Sequence, residues 1–211
     1  MNDFSTIANA IYDGDQNTVV AQTKLAIEEG NTALEILEKG LMAGMDHVGK
    51  DFKAGDLFIP EVLVASRAMQ AGMELLKPLL VSQKIKSPGK VILGTVKGDL
   101  HDIGKNLVSI MLQGAGFEVI DLGVDVSKET FLDAIVTHKP DLLGLSSLLT
   151  TTMPQMPEII DAIQQAGLRD QVKIMVGGAP LNEKYAQTIG ADGYAQNSSI
   201  AVEKAKELIS I

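Results

Sequence analysis

The sequence predicts a chain in two parts: a bundle of four helices, then a flavodoxin-like, Rossmann-type α/β domain with a five-stranded parallel sheet. Three observations predict it. Up to about residue 81, apolar residues recur at spacings of three and four, the period of an amphipathic helix. From Val91 onward, short β-branched runs alternate with helix-like segments, the pattern of successive β–α units. Between the two lies Ser82–Lys90, a polar stretch containing Pro88-Gly89, which sets a helical domain over 1–85 apart from an α/β domain over 90–211.

Ile7, Ile11 and Tyr12 mark a short first helix, closed by the turn residues Asp13-Gly14-Asp15. Asn17 is the expected cap of the second helix, with Val20, Leu25 and Ile27 apolar and Gly30 at its end. Asn31 or Thr32 opens a third, whose inner face is expected to be Leu34, Leu37, Leu41, Met45 and Val48. Lys53-Ala54-Gly55-Asp56 breaks it. Pro60, suited to a first turn, starts the fourth, which runs to about Leu80 with Val64, Met69, Met73 and Leu76 inside. Short loops between four such helices imply a bundle.

In the second part the expected strands are Val91–Val96, Glu118–Asp121, Leu142–Ser146, Lys173–Val176 and a short one near Tyr194. The expected helices are about Gly104–Gly114, Lys128–His138, Pro157–Ala166, Asn182–Ile189 and Ser199–Leu208. Such units imply a parallel sheet covered on both faces, with right-handed crossovers. The expected strand order is 2-1-3-4-5, with a ligand crevice outside the carboxyl ends of strands one and three.

Composition bounds the function. Of 211 residues, 45% are hydrophobic and 21% charged, as in an ordinary soluble globular protein. A net charge of −9 argues against nucleic acid, which wants a basic face. Cysteine is absent, which removes disulfides, thiolate metal sites and cysteine nucleophiles and fits a reducing, cytoplasmic setting. Met1-Asn2-Asp3-Phe4 does not begin like a signal peptide. No apolar run approaches the ~20 residues a bilayer requires, so no membrane partner is expected. Neither a G-x-G-x-x-G after a strand nor a phosphate-binding Gly-Lys-Ser/Thr loop is present.

Three motifs fall on expected strand ends. Asp99-Leu100-His101-Asp102-Ile103-Gly104 leaves the first strand and opens a helix. His101 can bind a metal through one ring nitrogen while Asp99 takes the other and fixes the tautomer. Ser146-Ser147-Leu148, followed by Thr150-Thr151-Thr152, leaves the third strand; Gly177-Gly178 leaves the fourth, where missing side chains let a ligand approach the backbone. Singly these are a loop pair, a polar strand end and a tight turn; converging on one sheet edge, they point to a site. His47 reads as a packed or surface histidine, His138 as a cation at a helix C-terminus, and most methionines of the helical part as core.

Forty-one residues separate Gly104 from Ser146, and twenty-eight separate Leu148 from Gly177. The motifs, their order and these gaps resemble the cobalamin-binding fingerprint Asp-x-His-x-x-Gly, Ser-x-Leu, Gly-Gly. Phe58-Ile59-Pro60-Glu61 and Ala65-Ser66-Arg67-Ala68-Met69 resemble the last helix of the cap that precedes such a domain. The chain as a whole is similar to the corrinoid methyl-carrier proteins of three-component methyltransferase systems (methanol, methylamine or betaine type), and to the cobalamin-binding module of methionine synthase.

That resemblance implies a bound cobalamin or related corrinoid, carrying cobalt and present as methylcobalamin in one state. It implies His101 as the lower axial ligand, Asp99 on its distal nitrogen and Thr152 continuing the chain. Ser146 and Thr150 would contact the cofactor's buried nucleotide tail, with Leu100, Asp102, Ile103 and Leu148 in the same binding stretches. Gly104, Gly177 and Gly178 would leave the tail room. Phe58, with Val62 or Leu63, would lie over the upper corrin face, and the cap would move about Ser82–Lys90. The implied role is a carrier without catalytic residues of its own. It would pass a methyl group from a substrate-specific methyltransferase to a second methyltransferase serving tetrahydrofolate or a thiol, with a reductive activase as a further partner. Two other readings share the histidine loop. An adenosylcobalamin mutase subunit would need a large substrate barrel and often has arginine where Ile103 stands; a cobalamin-dependent light-sensing regulator would need a DNA-binding domain.

Overall fold

The computed structural model describes residues 4–83 and 87–209, so the reading of Ser82–Lys90 as a linker falls partly outside the described residues. Two compact units are present, Met1–Lys86 with Gly114–Gly116, and Ser87–Gln113 with Phe117–Ile211.

The first unit holds α1 (Ser5–Tyr12), α2 (Gln16–Glu28), α3 (Ala33–Ile36), a π-helical segment (Leu37–Met42), α4 (Ala43–Ala54) and α5 (Ile59–Ser82). Because α3, the π segment and α4 run on without a break, the expected third helix exists as one rod. Helix α2 packs on α5, and α1 on α4 and α2. Gly72 allows the close approach: a Cβ there would stand 2.7 Å from Leu41 Cδ2 and 2.9 Å from Val19 Cγ1.

Local chemistry sets the helix starts. Asp15, not Asn17, caps α2; its Oδ1 accepts the Thr18 N–H at 3.1 Å and its Oδ2 the Thr18 hydroxyl at 2.6 Å. A cap side chain serves amides two or three positions ahead, so the aspartate of the preceding turn reaches them and Asn17 lies already inside the helix. Thr32 starts α3 with a capping box: its hydroxyl accepts the Glu35 N–H at 3.2 Å, and Glu35 accepts the Thr32 N–H in return. At α5, Glu61 accepts the Phe58 N–H at 2.6 Å and Pro60 sits in the first turn.

The buried faces differ from the period-3.6 expectation in an instructive way. Leu41, Met45 and Val48 are buried as expected, but Leu34 is 37% exposed and Ile36 fully buried. A π turn contains one extra residue and rotates everything before it by roughly a quarter turn. Ahead of the segment the inner face therefore shifts from Leu34 and Leu37 to Ala33 and Ile36. On α2 the buried residues are Val19, Thr23 and Ala26, while Leu25 is exposed; on α5, Val62, Ala65, Met69, Gly72 and Leu76 are buried and Val64 exposed.

The second unit alternates β1 (Lys90–Thr95), α6 (Ile103–Gly114), β2 (Glu118–Asp121), α7 (Lys128–His138), β3 (Leu142–Ser146), α8 (Gln155–Gln165), β4 (Lys173–Gly177), α9 (Glu183–Thr188), β5 (Gly193–Ala195) and α10 (Ser198–Ile209). The sheet order is β2-β1-β3-β4-β5 and each pairing is parallel. Helix α8 starts two residues before Pro157, since proline is tolerated in a first turn. Ile92, Phe131, Leu143, Met156, Ile159, Ile163 and Ile174 belong to one buried cluster. From β1 the chain runs outward to β2, and from β3 it runs the other way to β4. The loops after β1 and β3 therefore leave neighbouring strand ends on opposite sides, the topological switch point of an open α/β sheet. Among the described residues no helix is long and apolar enough to cross a membrane.

The shifted register of the third rod predicts a contrast between two neighbours. Ile36→Ala should destabilise the protein by about 3 kcal/mol in urea unfolding, the cost of emptying a filled core position, and Leu34→Ala by less than about 1 kcal/mol. The opposite ranking would show that the unshifted face is buried.

Candidate functional site

The loop after β1 is shaped by a tight turn. Asp99 N–H donates to Val96 O at 3.1 Å, and Gly98, third of the four residues, has φ 82°. That is a type II turn, whose third position requires positive φ and hence suits glycine. Beneath it, the buried Thr95 hydroxyl donates to His101 O at 3.0 Å. Helix α6 then begins at Ile103. Its first turn is tied down twice: Asn106 Nδ2 donates to Asp102 Oδ2 at 3.0 Å, and the buried Lys105 ammonium pairs with Asp121 at the end of β2. Lys105 Nζ also donates to Asn106 Oδ1 at 2.8 Å.

Asp99 is fully buried. Its Oδ1 accepts the His101 N–H at 3.1 Å and faces His101 Nδ1 at 2.7 Å. Its Oδ2 accepts the Leu148 N–H at 2.8 Å, the Leu149 N–H at 3.2 Å and the Thr152 hydroxyl at 2.8 Å. Ser147 Oγ lies 2.8 Å from Thr152 Oγ1 and 3.3 Å from Leu149 O. Burial by itself would raise the Asp99 pKa. The hydrogen bonds from the His101 and Leu148 amides, the imidazole and the Thr152 hydroxyl outweigh it and hold the carboxyl well below the usual carboxylate range.

An ionised carboxylate only accepts hydrogen bonds, so in the neutral His101 ring the proton sits on Nδ1, which leaves the Nε2 lone pair for a ligand. The imidazole side chain is about half exposed (51%), beside a carboxylate with no exposed surface. Exposed apolar residues share its loops: Leu100 (71%), Ile103 (73%), Leu148 and Leu149. A Cβ added at Gly104 would meet nothing within 4 Å, so the first turn of α6 is open on that side. At Gly178, φ 137°, a Cβ would stand 1.8 Å from Ser147 O, so the β3 and β4 loops touch backbone to backbone where any side chain would force them apart. The donor set is a single imidazole nitrogen in a fixed tautomer, with apolar side chains on the same loops. It fits a metal that brings its other ligands with it in a broad organic ring.

Of the residues singled out in the sequence, Asp99, His101 and Thr152 meet in one network, and Leu148 joins it through its backbone amide. Ser146 is half-buried at the end of β3 and Thr150 exposed in the loop beyond. Phe58 (67%) and Leu63 (37%) are exposed at the start of α5, and Val62 is fully buried there. His47 lies outside this network, stacked on Tyr12 at 4.7 Å between ring centroids and 3.7 Å from Asp51. Sequence reasoning passed over Ser147, although it is the second half of the quoted serine pair. It also passed over Thr95, Asp125, and the Lys105–Asp121 ion pair, whose partners are sixteen positions apart and meet only through the β1–β2 pairing.

Comparison with known proteins decides the family. Two family models, each described as a B12 binding domain, match residues 89–203 and residues 4–77. This chain is a B12-binding protein. Its cofactor is cobalamin or a related corrinoid. The B12-binding protein is 46% identical over 205 residues to dimethylamine corrinoid protein 1 of Methanosarcina acetivorans, covering 97% of this chain and 96% of the relative. It is 43% identical over 203 residues to trimethylamine corrinoid protein 1 of the same organism, covering 95% and 94%. Among solved structures it resembles a cobalamin-binding protein from Desulfitobacterium hafniense, with a TM-score of 0.81, 34% identity and 99% of both chains covered. It also resembles the methanol:cobalamin methyltransferase complex MtaBC of Methanosarcina barkeri, with a TM-score of 0.88, 32% identity, and 98% of this chain and 79% of that chain covered.

Asp99→Asn should destabilise the cofactor-free B12-binding protein by about 2 kcal/mol near neutral pH, because an amide nitrogen then faces hydrogen-bond donors in a buried pocket. The Asp99 pKa is lower folded than unfolded. Its contribution is therefore complete above the unfolded value of about 3.9 and is lost as the pH falls below it. Urea unfolding at a series of pH values should show that the asparagine variant loses this part of the acid dependence; parallel curves would contradict it.

Proposed function

We propose that this B12-binding protein carries a methyl group on the cobalt of its corrinoid between two methyltransferases, the first belonging to a methylamine system. The observation that carries the reading is the buried chain Ser147–Thr152–Asp99–His101, which ends in a free imidazole Nε2. The names of the relatives, dimethylamine and trimethylamine corrinoid proteins, support the substrate class. The second methyltransferase would deliver the group to tetrahydrofolate or a thiol, and a reductive activase would restore the cofactor's reduced state. The absence of cysteine supports a cytoplasmic setting.

When bound, the corrinoid supplies a cobalt centre able to accept and release a methyl group; the protein supplies the environment. His101 Nε2 would hold the cobalt, and Asp99 would keep the ring in the ligating tautomer by accepting a hydrogen bond from Nδ1–H. Thr152 has one hydroxyl hydrogen and two acceptors, Asp99 Oδ2 at 2.8 Å and Leu149 O at 3.0 Å. Ser147 likewise has Thr152 Oγ1 and Leu149 O. With Asp99 ionised, both hydroxyls point toward it: Ser147 donates to Thr152, and Thr152 donates to the carboxylate. Thr152 could instead turn its hydroxyl to Leu149 O, so rotation of the two hydroxyls would accommodate a change of charge on the carboxyl without backbone movement. Gly104, Gly177 and Gly178, with Ser146, Leu148 and Thr150, are the proposed lining for the nucleotide tail. Leu100, Asp102 and Ile103 belong to the same cofactor-binding loop.

Reconstitution with hydroxocobalamin tests the reading. His101→Ala should still bind cobalamin, more weakly, with an altered axial absorption spectrum; a spectrum identical to wild type would remove His101 as ligand. Asp99→Asn should bind about tenfold more weakly, as is typical when the partner of a metal-binding histidine is lost.

A further inference from the structure

The loop from β2 to α7 carries a residue that composition and motif leave unmarked. Asp125 has φ 55°, in the left-handed region that side chains other than glycine, asparagine and aspartate rarely adopt. Among the described non-glycine residues only Lys139, which closes α7, shares a positive φ. No helix ends at Asp125. Instead the left-handed backbone serves a double contact with the histidine loop. Asp125 Oδ1 accepts the Gly98 N–H at 2.7 Å, and the Asp125 N–H donates to Asp99 O at 3.0 Å.

The neighbouring bonds show that this is a built clamp. Leu122 N–H donates to Leu93 O at 2.8 Å, Thr95 N–H to Gly123 O at 3.0 Å, and Val126 N–H to Thr95 O at 3.0 Å, so the β2–α7 loop extends the parallel ladder alongside β1. Val96 and Val126 form a further parallel bridge. The turn 96–99 is thus gripped on both sides. Leu148, Leu149 and Thr152 hold the Asp99 carboxylate, and Asp125 holds the backbone of the turn that presents it.

We infer that Asp125 is a positioning residue for the axial histidine: it clamps the Val96–Asp99 turn so that Asp99, and through it the His101 ring, keeps the orientation that grips the metal. A type II turn needs only its glycine; the left-handed Asp125 held across from it, making two hydrogen bonds to that turn, is the kind of backbone feature that points to a functional constraint. The inference rests on the reading of His101 as cobalt ligand.

Three variants separate the hydrogen bond from the backbone strain. Asp125→Asn retains an acceptor oxygen and tolerance of positive φ; Asp125→Gly retains the φ and loses the acceptor; Asp125→Ala loses both. The full chain is reconstituted with hydroxocobalamin and titrated with cyanide, whose second equivalent displaces the lower nitrogen from cobalt. The cyanide midpoint of that step should fall about fivefold in the glycine and alanine variants, the scale of one lost hydrogen bond, and stay within about twofold of wild type in the asparagine variant. In the cofactor-free protein, amide exchange at Gly98 should be protected in wild type and in Asp125→Asn, and fast in Asp125→Gly.

A glycine variant with a wild-type midpoint overturns the proposal, as does a midpoint that moves only in the alanine variant, since strain alone would then account for it. His101→Ala is the control. If it shifts the midpoint while Asp125→Gly does not, the clamp alone is wrong. If it leaves the midpoint unmoved, the axial reading itself fails and the clamp falls with it.

Discussion

A carboxylate with no access to water governs this structure. Placing Asp99 in the interior as an anion would be prohibitive were it not met by five donors: the amides of His101, Leu148 and Leu149, the Thr152 hydroxyl and the imidazole of His101. Four of those are fixed by backbone or by a buried side chain. The fifth, the imidazole, is the one that reaches solvent, and so the partner that can take on a ligand. The geometry of the ring follows from a buried charge that must be satisfied from a particular direction.

The fold is what makes such satisfaction possible. In a parallel sheet, loops leaving adjacent strands emerge at the same edge, and β1 and β3 are adjacent although a whole β–α unit separates them in sequence. The loop after β3 can therefore offer two consecutive amides and one hydroxyl to a residue some fifty positions earlier. The glycine after β4 lets that loop sit against Ser147 with backbone atoms alone between them. On the other side, Lys105 and Asp121 tie the start of α6 to the end of β2. Each fastening lies outside the three residues Asp99–His101, yet each limits where they can go.

The helical unit shows the same principle in a different form. Its rods were plain from the spacing of apolar residues; Thr32, one of two caps the sequence offered, and Pro60 marked two starts from local chemistry, and the structure adds the Glu35 and Glu61 carboxylates that accept the cap amides. The face each rod buries was less plain. A single π turn moved the inner stripe of the third rod by one residue, from Leu34 and Leu37 to Ala33 and Ile36, and α2 turned its small residues inward and left Leu25 outside. Apolar identity does not say which side of a helix meets its neighbours when close packing favours small residues at the contact, as Gly72 does against Leu41 and Val19.

The sequence by itself determined the element order, the strand order and the identity of the histidine–aspartate pair. Those rest on short-range facts: alternation of β-branched runs with amphipathic stretches, right-handed crossovers, and two residues on one loop. The tertiary structure decided what completes the pair. Ser147, Thr95, Asp125 and the Lys105–Asp121 link act through contacts between strands and loops far apart in the chain, and no local pattern distinguishes them from ordinary polar loop residues. Spacing can announce that a ligand loop exists; only the packing of neighbouring loops can say which groups hold it still, because a hydrogen bond is set by position in space to within a few tenths of an ångström.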